Sequence, residues 1–71
     1  MIITVYLDGQ KLKRHRVTKG FTQRSLAEAA GISPSTVNLL EQRQKNERFH
    51  PTTLVRLAEA LGIEPSELLE D

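Results

Sequence analysis

Charged residues are distributed unevenly along this chain of 71 residues, although its net charge is only +1. The stretch from Gln10 to Ser25 has six basic residues and no acidic one, whereas Leu57 to Asp71 has five acidic residues and no basic one. The six bases are Lys11, Lys13, Arg14, Arg16, Lys19 and Arg24. Cationic side chains in such a run bind phosphates, so one end of the molecule can face a polyanion while the other faces solvent. The same pattern is also typical of helix faces that are merely solvated.

Residues that could catalyse a reaction or hold a metal are sparse. The chain has no cysteine, no glycine-rich phosphate loop, and only two histidines, His15 and His50, which are far apart in sequence. Metal sites need clustered ligands, so we expect no enzymatic activity, no cofactor and no small-molecule ligand. The N-terminus turns basic only after its apolar residues, which is the wrong order for a secretory signal, and no run is long enough to span a membrane. We therefore expect a cytoplasmic protein.

Two short helices joined by a tight turn are predicted after residue 21. Thr22 can cap the first of them through its hydroxyl, and Gly31 can end it in the left-handed conformation that glycine adopts most readily. Ser33 can cap the second helix, and Pro34 suits its first position. So short a connection forces a sharp crossing, which is typical of helix-turn-helix DNA-binding motifs and also of ordinary helical corners.

Three further helices are predicted around this pair. The first runs from Gln10 to Lys19, and Gly62 ends the fourth. Pro65 opens a short fifth helix. The apolar stripe of the fourth helix consists of Leu54, Leu57, Ala58 and Leu61. The predicted fold class is therefore all-α, a compact bundle of five short helices over residues 10–71 that follows an extended strand or arm at residues 1–9.

Several short motifs have a family counterpart. They are Gly20-Phe21-Thr22-Gln23, Leu26-Ala27, Gly31-Ile32-Ser33, Thr36-Val37, Leu40-Glu41 and the run from Leu57 to Ile63. Through them, residues 12–69 resemble the lambda-repressor-like, or Cro-like, helix-turn-helix domain of phage and bacterial transcription regulators. The resemblance implies a nucleoid-associated, sequence-specific regulator, a repressor, that places helix 33–43 in the major groove of double-stranded DNA. The alternative is the same scaffold used as a protein-interaction module of the antitoxin or anti-repressor type.

The resemblance also implies roles for individual residues. The positions that face the bases are Pro34, Ser35, Thr36, Asn38 and Leu39. The positions that approach phosphates are Gln23, Arg24, Gln42, Arg43, Lys45, Asn46 and Arg48. In the family a structural ion pair joins the first helix to the recognition helix, and Arg16 and Glu41 occupy those two positions here.

The base-facing set departs from the family at two positions. Many relatives carry glutamine or arginine where this chain has Pro34 and Leu39, and neither of these can form bidentate hydrogen bonds to a base. Ser35 and Thr36 discriminate weakly among bases, whereas Asn38 can pair with adenine if it reaches inward. Leu39 can pack on thymine methyl groups or face a protein instead. We therefore expect modest sequence specificity, to which DNA shape contributes.

The apolar segment at residues 2–7 is rich in β-branched residues and is predicted to be a strand that stops at Asp8 and Gly9. No second strand is visible in the sequence. The segment can lie as an arm on its own helices, or it can pair with the same segment of a second copy in an antiparallel ribbon. We favour the ribbon, because two recognition helices about one DNA turn (roughly 34 Å) apart would read a palindrome. The expected dimer contacts are Ile3, Val5 and Leu7.

Overall fold

The computed structural model describes residues 5–70. Within them the chain forms four α-helices, two short β-strands and one 3₁₀ turn. In chain order these are β1 (Leu7–Asp8), α1 (Gly9–Thr18), α2 (Gln23–Ala30), α3 (Pro34–Gln42), β2 (Lys45–Asn46), α4 (Pro51–Leu61) and the 3₁₀ turn Pro65–Leu68. No helix in this part of the chain is long and apolar enough to cross a membrane.

Helix α1 begins one residue earlier than the sequence predicts because Asp8 caps it. The Asp8 carboxylate accepts hydrogen bonds from the backbone N–H groups of Gln10 and Lys11, at 2.8 and 3.2 Å. These N–H groups have no partner inside the helix, and a negative charge is favoured at this end of the helix dipole. Asp8, which was expected only to stop the strand, therefore also starts α1.

The N-terminal strand is paired on both of its edges within its own chain. β1 pairs antiparallel with β2, so that Leu7 lies opposite Asn46. On its other edge Leu7 bridges to Leu69, and the Glu70 N–H donates to the Tyr6 carbonyl at 2.8 Å. Residues 7–8 are therefore paired within their own chain, whereas residues 1–4, which the arm and the ribbon also include, lie outside the described residues. The sequence does not predict the second strand, because it is only two polar residues long and has no apolar pattern.

The expectation of a fifth helix is wrong, because this segment forms only a 3₁₀ turn. The Glu64 N–H donates to the Glu67 carboxylate at 2.8 Å, and Pro65 occupies the first position of the turn, as expected. Leu69 then has an extended backbone, with φ −92° and ψ 152°, since it bridges to Leu7. Pairing with β1 takes the chain out of helical geometry, so the bundle contains four α-helices within residues 5–70.

The core lies between α2, α3 and α4 and is closed by β1, α1 and the 3₁₀ turn. Its buried apolar side chains are Leu7, Leu12, Leu26, Ala27, Ala30, Val37, Leu40, Leu57, Ala58, Leu61 and Leu68. Leu7 is completely buried in its own chain, so its expected role as a dimer contact is wrong. Val5 is 46% exposed, and Ile3 lies outside the described residues.

Candidate nucleic-acid interface

The turn between α2 and α3 has the geometry that the sequence predicts. Gly31 has φ +71° and ψ 34°, a left-handed conformation that costs a residue with a side chain about 1–2 kcal/mol. The Ile32 N–H donates back to the Ala27 carbonyl at 2.9 Å and closes α2. The Ser33 side chain caps α3 by accepting from the Ser35 N–H at 3.2 Å. These local residues therefore help to set the angle at which α3 leaves the turn.

Helix α3 has one apolar face and one open face. Val37 and Leu40 are buried in the core, at 0% and 6% exposure. Thr36 is half-buried. The other predicted base-facing residues, Pro34, Ser35, Asn38 and Leu39, are exposed. The outward face therefore carries short hydroxyl and amide groups, and Leu39 is the one large apolar side chain among them.

The loop after α3 carries most of the predicted phosphate contacts on its surface. Gln42, Arg43, Lys45 and Arg48 are all exposed. Lys45 lies 3.4 Å from the Glu70 carboxylate and 5.8 Å above the Tyr6 ring, so an acid of the same chain offsets part of its charge. Arg43 and Arg48 form no ion pair with any of the described residues. These two guanidinium groups are therefore the loop's strongest candidates for binding an external anion.

Asn46 has a different role from the one implied by the resemblance. It is only 7% exposed, and its side-chain amide donates to the backbone carbonyls of Leu40, Arg43 and Leu7 at 2.9, 3.1 and 3.1 Å. The first two carbonyls lie at the C-terminal end of α3, where no intrahelical partner remains. Asn46 therefore ties the end of α3 to β1, and its expected contact with a phosphate is wrong.

At the N-terminal end of α2, the two predicted phosphate residues lie in different surroundings. Arg24 is exposed, and its guanidinium lies 3.5 Å from the Glu28 carboxylate, one helical turn away on the surface. Gln23 is half-buried, and its amide donates to the Glu41 carboxylate at 3.2 Å. Gln23 therefore lies beside α3, where it can support the open face of that helix.

Arg16 and Glu41 form a bidentate ion pair between α1 and α3. The Arg16 Nε and Nη2 atoms donate to the two Glu41 carboxylate oxygens at 2.6 and 3.1 Å. Arg16 Nη1 also donates to the Phe21 carbonyl at 2.8 Å. The two side chains are 12% and 4% exposed, so the pair is largely removed from water. The Arg16 guanidinium therefore binds groups of the protein itself, although Arg16 belongs to the basic run.

Two features of this surface were not singled out from the sequence. An open cavity of about 330 Å³ lies beside α3, and Phe49 forms part of its apolar lining together with Leu39. Lys13 of α1 lies in a shallow depression with Gln23 and Asn38. Phe49 could have been noticed as an apolar residue just before the Pro51 that opens α4. Lys13 was visible only as one of the six bases in its run.

Residues 11–71 match the family model described as the Cro/C1-type HTH DNA-binding domain. The chain belongs to this family. The resemblance to Cro-like domains is therefore confirmed, and the chain is a helix-turn-helix DNA-binding domain of the kind found in transcriptional regulators. No curated protein matches the chain at a significant level.

Solved structures of related regulators have the same fold. The restriction-modification controller protein C.AhdI from Aeromonas hydrophila is 40% identical, with a TM-score of 0.76 over 84% of this chain and 88% of that chain. The N-terminal DNA-binding domain of the biofilm regulator SinR from Bacillus subtilis is 26% identical, with a TM-score of 0.80 over 92% of this chain and 93% of that chain. A hydroxyethylphosphonate dioxygenase also matches, at 29% identity and a TM-score of 0.77 over 92% of this chain. The chain spans only 14% of that enzyme.

Within residues 5–70, this Cro/C1-type domain brings no three His, Cys, Asp or Glu side chains together as a set that could hold a metal ion. Its distinctive surface is instead the open face of α3, with the cationic loop 43–48 at one end and the N-terminus of α2 beside it. Polar, apolar and cationic side chains thus lie side by side on a surface that faces away from the core.

Proposed function

We propose that this domain represses transcription by binding specific double-stranded DNA as a homodimer, with α3 in the major groove and no catalytic activity. The observation that carries the proposal is the open face of α3. Of the five proposed base-facing positions, Pro34, Ser35, Asn38 and Leu39 are exposed and Thr36 is half-buried, and the short polar side chains among them can hydrogen-bond to base edges. The helix behind them is fixed at its start by Ser33 and at its end by Asn46. A rigid helix loses little entropy on binding, so this face is suited to docking in a groove.

Phosphate contacts supply the affinity in this proposal. Arg43 and Arg48 provide charge beside the C-terminal end of α3, and Gln42 and Lys45 lie next to them on the same loop. Arg24 and Gln23 lie at the start of α2, where free backbone N–H groups favour an anion. Two sets of contacts on either side of α3 would hold it across one groove.

The first test is selection of binding sites from random duplex DNA at near-physiological salt. An enriched inverted repeat is the expected result, and its half-site spacing gives the dimer geometry. A single enriched half-site would support DNA binding but contradict the homodimer. If no sequence is enriched, the proposal of sequence-specific binding is wrong.

Charge variants test the phosphate contacts on the selected duplex. Arg43→Gln and Arg48→Gln should each weaken binding similarly for matched and mismatched sequences, and should reduce the slope of log K against log salt by about one. Arg14→Gln is the matched control, because it removes the same charge from the face of α1 opposite Leu12 and Arg16. An unchanged salt slope in both loop variants would contradict the assignment.

The dimer needs its own test, because β1 already uses both of its edges within one chain. Among the described residues, Val5 is the exposed member of the predicted contact set, at 46% exposure. Sedimentation equilibrium of wild type and Val5→Lys measures the mass without DNA. A dimer that Val5→Lys converts to monomer supports an N-terminal contact, whereas an unchanged dimer places the interface elsewhere. Deleting residues 1–7 would be uninformative, because it would also remove Leu7 from the core.

A further inference from the structure

Leu39 is an apolar side chain in an unusual place. It is 62% exposed, more than any other large apolar residue among those described. A single exposed leucine is common on protein surfaces and by itself needs no explanation. Leu39, however, lies on the open face of α3, between residues proposed to face bases and residues proposed to bind phosphates.

The surroundings of Leu39 extend its apolar surface. Thr36 lies three residues earlier on the same helix face, so its methyl group is a neighbour of the leucine side chain. Both residues line the open cavity of about 330 Å³ together with Phe49, whose ring packs against the core. Arg43 and Arg48 also line this cavity. The result is an apolar strip with two guanidinium groups beside it.

The charges beside the strip indicate what binds there. Arg43 and Arg48 have no carboxylate partner among residues 5–70, so they are available to an anionic ligand. The major groove of DNA combines phosphates with one apolar group on its base edges, the C5-methyl of thymine. A 5-methylcytosine carries the same methyl group at the same ring position. Leucine cannot donate or accept a hydrogen bond, so a methyl group is the part of a base edge that it can recognise.

We infer that Leu39, with the Thr36 methyl beside it, binds the C5-methyl group of a pyrimidine in the major groove. The domain then distinguishes thymine from uracil, and 5-methylcytosine from cytosine, at that position. This inference rests on the proposed function, because it requires α3 to lie in the groove. Many relatives carry glutamine or arginine at position 39, so the leucine of this chain would change which group of the base is recognised there.

The experiment uses the duplex obtained by site selection, with each thymine replaced in turn by deoxyuridine, and measures binding by fluorescence anisotropy. Wild-type protein should lose about fourfold in affinity at one position of each half-site, the effect of burying one methyl group. Leu39→Ala should show no loss at that position. Val55→Ala is the matched control, since Val55 is an exposed apolar residue on α4, and it should behave as wild type. A probe with cytosine at the sensitive position should recover affinity when that cytosine carries a 5-methyl group.

The outcomes separate this inference from the proposed function. If the selected duplex binds tightly but no uracil substitution weakens it, Leu39 does not bind a methyl group and DNA binding stands. The same holds if Leu39→Ala remains as sensitive to uracil as wild type. An absence of any enriched sequence would overturn both proposals. The thermal midpoint of Leu39→Ala should match that of wild type, because the side chain lies outside the core.

Discussion

Removal of Arg16 should lower the stability of the folded domain and should not act directly on DNA recognition. In Arg16→Met the Glu41 carboxylate, whose side chain is 4% exposed, keeps only the hydrogen bond from Gln23 among its partners in residues 5–70. Breaking a buried pair from one side typically costs 3–5 kcal/mol, because the remaining charge is left buried without its partner. The remaining Gln23 bond places the expected loss at the lower end, about 3 kcal/mol. For a domain of this size that corresponds to a fall of about 12–24 °C in the melting temperature.

A second substitution separates the cost of an unpaired charge from the loss of packing. In the double variant Arg16→Met with Glu41→Leu, both charges are replaced by apolar side chains of similar length. Such replacements are often neutral or stabilising, so most of the lost stability should return. Glu28→Gln is the control, because the surface pair of Glu28 with Arg24 should contribute under about 1 kcal/mol.

Urea and thermal unfolding monitored by circular dichroism measure these stabilities, and anisotropy on the selected duplex measures binding. The deficit of Arg16→Met should persist in high salt, since buried pairs are screened far less than surface pairs. An Arg16→Met protein that melts like wild type but binds DNA weakly would refute the reasoning, because Arg16 would then act on DNA and not on the fold.

Two further substitutions test how α3 is fixed at its end. Asn46→Asp should cost about 2–4 kcal/mol in urea unfolding, because two or three net hydrogen bonds are lost and a carboxylate faces carbonyl oxygens; Gln44→Ala, an exposed neighbouring amide, should cost under about 0.5 kcal/mol. In Gly9→Ala the new Cβ would overlap the carbonyl oxygens of Leu40 and Arg43. Overpacking typically costs 1–3 kcal/mol, so a lowered melting temperature is expected, and an unchanged or raised one would contradict the close approach.

The sequence was informative wherever local stereochemistry decides the structure. The capping hydroxyls of Thr22 and Ser33 and the left-handed Gly31 define both ends of α2 and the start of α3, and each could be predicted without tertiary information. The base-facing positions of α3 were implied by the family resemblance, but its buried edge of Val37 and Leu40 was predicted from the residues alone, because helix periodicity assigns buried positions once the start is known. The position of Arg16 opposite Glu41, in contrast, was available only through the family resemblance.

Contacts between distant segments were not predictable in the same way. Lys45 and Asn46 look like part of a cationic loop, and only pairing with residues 7–8 makes them a strand. The burial of Asn46 depends on three carbonyls from two separate segments, none of which has a side-chain signature. A separate bridge on the other edge of Leu7 leaves Leu69 extended where a fifth helix was expected. Each error therefore has one cause, a strand partner that only the folded chain brings into place.

This strand pairing has a consequence for recognition that the helix-turn-helix motif alone does not contain. Gly9 packs directly against the carbonyl end of α3, and its N–H donates to the Gln44 carbonyl at 3.1 Å. Asn46 holds the same helix end from the other side. The Arg43 backbone is therefore contacted on both sides, by Gly9 and by Asn46. Because ordering a loop on binding costs affinity, we expect residues 7–9 to favour DNA binding without touching DNA.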